Sequence, residues 1–200
     1  MKTLHSLLFA FTLLVGSSSV ATAQDFDKGV HAFKMGDFQA AVQEWRSLAE
    51  QGNIDAQRNM GLMYAAGKGV PQNYVEAAKW YRLAAKQGNA RAQFELGVQY
   101  RAGLGVLQDY DKALEWYRLA AEQGNADAQN QLGNMYGSGT GVPQNFVVSH
   151  MWYSISAANG KKIAASLRDK TSAVLSSEEV YEAQRMAREC MSSNYQNCGQ

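Results

Sequence analysis

Beyond residues 1–23 the chain holds two histidines, His31 and His150, and two cysteines, Cys190 and Cys198. These side chains are the ones best suited to proton transfer, nucleophilic attack or soft-metal binding near neutral pH. A catalytic or metal site needs several such groups converging at defined geometry. The sequence supplies no such cluster. His31 has Asp27 four residues before it, a possible pair on one helix face, whereas His150 has no acidic residue within four positions. Both read as ordinary structural or surface histidines. No serine is followed three residues later by lysine, and neither G-x-S-x-G nor G-x-x-x-x-G-K-[ST] occurs. The run Gly137, Gly139, Gly141 has the composition of a phosphate cradle, but it follows a helical pattern and aligns with two other interhelical loops. The sequence therefore predicts no enzyme, no cofactor and no metal site. The two cysteines lie within the last eleven residues. In an oxidising compartment a lone nearby pair is most simply a disulfide, Cys190–Cys198. Closing so small a loop stabilises by roughly 2–3 kcal/mol.

The cysteine reading presupposes export, and the start of the chain agrees. Lys2 precedes an apolar run over residues 7–15, and Ala21 and Ala23 form an A-x-A cleavage pattern. Residues 1–23 are expected to be a signal peptide cut near Ala23/Gln24. The expected location is the periplasm or outside the cell, with no integral membrane segment after cleavage. Without Lys2 the chain carries 18 Lys and Arg against 18 Asp and Glu (19 − 1 = 18), with no basic block. That argues against nucleic acid as a partner.

The elements that would position any site are helical. Residues 80–93 return almost letter for letter at residues 116–129, 36 positions later. A fixed period of this length marks stacked helical hairpins. Apolar residues at spacings of three and four predict the helices, and Gly52, Gly88 and Gly124 punctuate their ends. The expected organisation is a helical hairpin over 24–52, repeats over 53–88, 89–124 and 125–160, and a capping hairpin and tail over 161–200. Each repeat places a glycine inside its first helix, at Gly61, Gly97 and Gly133. Glycine there costs up to about 1 kcal/mol against alanine, so the position predicts close approach of a partner helix. Tyr64, Tyr100 and Tyr136, three residues on, are expected to pack towards the next unit. A capping box at Ser176 and Glu179 predicts the last helix.

The pattern A-x-x-x-L-G-x-x-Y, a G-x-G-V-P-Q-N loop and A-x-x-W-Y-R-x-A-A-x-Q-G-N resembles the Sel1-like repeat. Residues 92–100 and 128–136 match the first helix, 67–73 and 139–145 the loop, and 77–89 and 113–125 the second helix. Residues 24–52 look closer to the related tetratricopeptide repeat. The third repeat departs at residues 146–150, which suggests that its second helix carries something of its own. The resemblance implies an all-α, right-handed superhelical solenoid acting as a non-enzymatic adaptor for a protein or peptide partner. First helices line the concave groove in such arrays. With the helical glycine as register, the groove positions are Arg58, Asn59 and Leu62; Phe94, Glu95, Val98 and Arg101; and Asn130, Gln131 and Asn134. They differ between repeats while the framework is constant. Phe94 stands at an otherwise polar position with no evident packing need. Mixed apolar and amide groups suit an extended peptide. The alternative function is an envelope enzyme or glycan-binding protein acting on cell-wall material.

Overall fold

The computed structural model describes residues 17–196 and Cys198. Most of the expected leader, residues 1–16, lies outside the described residues. The described chain is ten α-helices with no strand among the described residues. α1 (Ser17–Lys34) and α2 (Phe38–Glu50) form the first hairpin. Three more follow: α3 (Ile54–Ala66) with α4 (Tyr74–Lys86), α5 (Ala90–Ala102) with α6 (Tyr110–Ala121), and α7 (Ala126–Ser138) with α8 (Phe146–Ala158). α9 (Lys162–Ser172) and α10 (Ser177–Ser192) complete the chain. Each helix packs on its sequence neighbours through α9, and the hairpins stack into a right-handed superhelical solenoid. No helix among the described residues is long and apolar enough to cross a membrane.

Local sequence explains where each helix begins. Asn53, Asn89 and Asn125 cap the first helices, each side chain accepting from the backbone N–H three residues on. Asn73, Asp109 and Asn145 do the same for the second helices. Such caps satisfy one of the orphan donors and are worth about 1 kcal/mol each. First helices end on a left-handed glycine, Gly67, Gly103 or Gly139, at φ of 66°, 70° and 73°. Side chains other than glycine rarely adopt that conformation.

The helical glycines have a steric cause. A Cβ on Gly61 would lie 2.5 Å from the Tyr81 ring, one on Gly97 2.7 Å from Tyr117, and one on Gly133 2.6 Å from Tyr153. Each tyrosine comes from the second helix of the same hairpin, so the missing Cβ admits an aromatic ring flat against the first helix. The first hairpin uses the same device: Gly29 on α1 sits against the Trp45 indole of α2.

Two polar ladders tie hairpin to hairpin. Arg46, Arg82 and Arg118 donate to the hydroxyls of Tyr64, Tyr100 and Tyr136 at 3.1, 3.4 and 2.6 Å. Each arginine lies on a second helix and each tyrosine on the first helix that follows. The tyrosine hydroxyls thus reach back to the preceding unit, not forward as expected. The second ladder is buried. Gln57, Gln93 and Gln129 donate to the carbonyls of Ala49, Ala85 and Ala121 at 3.1, 3.2 and 3.1 Å. Their own carbonyls accept from Gln87, Gln123 and Asn159 at 2.7, 2.7 and 2.9 Å. Tyr195 then donates to Asn159 at 2.9 Å, so the C-terminal tail finishes the ladder.

The last two helices do not repeat the hairpin geometry. α9 and α10 each pack chiefly on α8, flanking it, and little on one another. The expected capping hairpin is a pair of separate struts. α10 begins with the capping box of Ser176 and Glu179 and ends at the Cys190–Cys198 disulfide.

Candidate functional site

The first helices α3, α5 and α7 present a shared face built on the Gly–Tyr packing described above. Arg58, Leu62, Phe94, Glu95, Val98, Gln131 and Asn134 are half-buried on it, and Arg101 is exposed. Asn59 and Asn130 are buried, each about 8% exposed, so only their edges are available. The side chains interact along the row. Arg58 donates to Asn59 at 2.9 Å. Asn134 donates to Gln131 at 3.1 Å and accepts from the Tyr153 hydroxyl at 2.7 Å. Phe94 does have a packing role, contrary to the sequence expectation: its ring lies 5.9 Å from that of Tyr117, tilted by 36°. Tilted aromatic pairs at that spacing are favourable beyond their buried area.

Electrostatics run across helices. Burial pushes the Glu95 carboxyl above the usual carboxylate range; Arg58 on α3 pulls it back and Asp127 on α7 adds to the rise. Burial likewise raises the Tyr81 and Tyr117 hydroxyls. The Arg101 guanidinium opposes the rise at Tyr117. Tyr117 and Tyr81 thus bring their polar ends from the second helices to the charged residues of the first-helix face. Asn130 Oδ1 is buried here with no hydrogen-bond partner among the described residues, whereas the buried Tyr117 Oη has the Arg101 guanidinium as its polar neighbour. An unmade bond at a buried polar atom costs about 1–3 kcal/mol. A cavity of about 370 Å³ opens between α5 and α7, lined by Arg101, Gln131, Asn134, Met135, Ser138 and Thr140. Together the row offers guanidinium donors, amide groups that both donate and accept, and an aromatic edge. This set suits peptide backbone and mixed side chains better than bond-making chemistry.

The remaining candidates separate clearly. His31 is exposed on α1, and no ion pair joins it to Asp27. Among the described residues no group of three or more His, Cys, Asp or Glu gathers as metal ligands. The glycine run at Gly139 and Gly141 is a helix-ending loop, as its alignment with the other repeats suggests. His150 is 1% exposed, and its Nε2 lies 2.9 Å from Ser172 Oγ. Sequence reasoning passed over this His–Ser cluster. The signal was available in the register: 36 residues after Arg118 stands Ser154, and 36 after Tyr136 stands Ser172.

The fold and its ladders define a helical-repeat solenoid whose variable face is carried on an invariant frame. The Sel1 repeat family matches residues 54–89, 90–125 and 126–161, more than half of the chain, and the chain belongs to that family. Among solved structures, it is similar to a protective antigen of uropathogenic Escherichia coli strains displaying an SLR fold. The TM-score is 0.68 at 37% identity, covering 72% of this chain and 32% of that one. A Sel1 repeat protein from Oxalobacter formigenes gives a TM-score of 0.66 at 34% identity, covering 70% of this chain and 56% of that one. The exopolysaccharide production negative regulator of Rhizobium meliloti (strain 1021) is 30% identical over 40% of this chain and 36% of its own length. The chain therefore spans between 32% and 56% of the length of these relatives.

Proposed function

We propose that the protein is an exported, non-enzymatic adaptor that holds an extended segment of a partner protein along the first-helix face. The observation that carries this reading is the cavity of about 370 Å³ between α5 and α7, lined by Arg101, Gln131 and Asn134 on that row. A strand of partner backbone brings both donors and acceptors to this cavity. The amides of Gln131 and Asn134 and the guanidinium of Arg101 extend the same recognition. The family membership supports a scaffold role, since stacked repeats create extended binding surfaces. The cleavage pattern before Gln24 and the Cys190–Cys198 disulfide support export, because disulfides persist in oxidising compartments.

The test is capture of partners from native envelope extract by wild type and by a Phe94→Ala/Arg101→Ala variant. Loss of a specific protein from the variant, with unchanged helical content, is the expected result. Equal recovery of every partner removes the groove assignment. Binding of isolated peptidoglycan that is lost in Glu95→Gln replaces the adaptor reading with recognition of cell-wall material.

A further inference from the structure

The Arg–Tyr seam pair that joins the earlier hairpins is missing at the last seam. By the 36-residue register its members are Ser154 on α8 and Ser172 on α9. Two long side chains have become two hydroxyls, and the space they leave is not filled by a neighbour. A cavity of about 440 Å³ lies there, bounded by α8, α9 and α10. It exists because α9 and α10 flank α8 without closing on each other. His150, at the register position occupied by Ala78 and Leu114 in the earlier repeats, forms its floor. The walls bring Arg168 and Asp169 from α9, and Gln184 and Arg188 from α10.

The hydrogen bonds of the floor define its chemistry. Ser172 donates to the Arg168 carbonyl at 3.1 Å and Ser154 to the His150 carbonyl at 2.8 Å, each within its own helix. With both hydroxyl protons so engaged, the assigned tautomer has His150 Nε2–H donating to Ser172 Oγ. That arrangement leaves His150 Nδ1 as the unprotonated ring nitrogen, 3.4 Å from Ser154 Oγ. Arg168 spends part of its fork on Asp169, at 3.0 and 2.8 Å. Arg188 forms no ion pair among the described residues, and the nearby Glu182 and Glu189 of α10 pair with Arg185. One unpaired guanidinium, a second partly engaged one, an amide and a buried imidazole surround a space of small-molecule size.

We propose that this cavity is a binding site for the oxyanion group of a small ligand, carboxylate or phosphate, held mainly by Arg188 and Arg168. Guanidinium forks match both oxyanions with paired, charge-assisted hydrogen bonds. Gln184 supplies a further neutral donor at the wall. The site is separate from the first-helix row, and its fate does not depend on whether that row binds protein.

The probes are inorganic phosphate and succinate, titrated separately into the full chain at matched ionic strength with chloride as control. The His150 imidazole resonance reports occupancy. A saturable shift with phosphate alone, with succinate alone or with both supports the site and identifies the oxyanion it takes. Arg188→Gln, on the exposed side of α10, weakens binding roughly tenfold, the scale of one charge-assisted hydrogen bond. Ser154→Arg/Ser172→Tyr rebuilds the seam pair, fills the cavity and abolishes binding. If that variant does not fold, Arg188→Gln decides alone. No saturable shift with either probe, or an affinity unchanged in Arg188→Gln, overturns the proposal.

Discussion

The second helices α6 and α8 occupy equivalent places in consecutive repeats, yet they live in different environments. On α6 the outward positions are Glu115, exposed, and Leu119, 38% exposed. The same positions 36 residues later are Met151 and Ile155, both fully buried. α10 lies over them, with Ala187 and Cys190 in the same apolar cluster as Met151 and Ile155. The departure of residues 146–158 from the repeat pattern is thus mostly a consequence of being covered. A solenoid end would otherwise expose apolar surface, and terminal units must hide it. The difference teaches that sequence divergence in one copy can mark a change of neighbour rather than a change of activity.

Paired truncations break or sharpen that comparison with the largest effect. Ile155→Ala removes buried methyl groups beneath α10 and is expected to cost about 2–5 kcal/mol. Leu119→Ala, at the same register on α6, is expected to change stability by roughly 1 kcal/mol or less, as for partly exposed positions. Urea midpoints of the two variants measure both. Similar losses would show that α10 does not shield α8.

A second test uses what the repeats share. Gly97→Ala gains up to about 1 kcal/mol of helix propensity. It also drives a Cβ to 2.7 Å from the Tyr117 ring, and overpacking of that kind costs typically 1–3 kcal/mol. The expected net is a destabilisation of about 1–2 kcal/mol in chemical denaturation. Gly133→Ala against Tyr153 should lose a similar amount, since the geometry differs by only 0.1 Å (2.7 − 2.6). A stabilised variant would mean that the tyrosine rings yield easily and that the glycines are kept for another reason.

The legibility of the molecule follows the same division. The period, the glycines at helix ends and the glycine at a close approach were readable because repetition turns one ambiguous helix into several consistent ones. Gly29 against Trp45 escaped because the shorter turn sets them 16 positions apart, where Gly61 and Tyr81 are 20 apart. The packing of Phe94 on Tyr117 escaped because periodicity assigns a face, not the identity of the ring behind it. The direction of Tyr64, Tyr100 and Tyr136 depended on arginines 18 residues earlier, across a unit boundary. The His150 cluster was hidden for a different reason. Its meaning lies in absent residues: Ser154 and Ser172 look unremarkable until compared with Arg118 and Tyr136.

That buried histidine supplies the smallest effect and the sharpest contrast between the last seam and the others. Burial holds the His150 imidazole below the ordinary histidine value of 6.5; Arg168 lowers it further and Asp169 partly opposes. Arg188, across the same cavity, has the sign of Arg168, while Ser154 and Ser172 carry no charge. The folded state therefore prefers neutral imidazole, and the unfolded chain binds the proton first. Stability from this group is complete above pH 6.5 and is lost as the pH falls from there through the lower folded value. The expected observation is a drop in the urea midpoint between neutral and mildly acidic pH that is reduced in His150→Leu. The leucine restores the residue type found at position 114, so the packing of the earlier repeat is the reference. Saturating oxyanion should also reduce the drop, because an anion beside the imidazole favours its charged form. A pH dependence identical in wild type and His150→Leu would assign the acid sensitivity to other groups and leave the last seam no different from its predecessors.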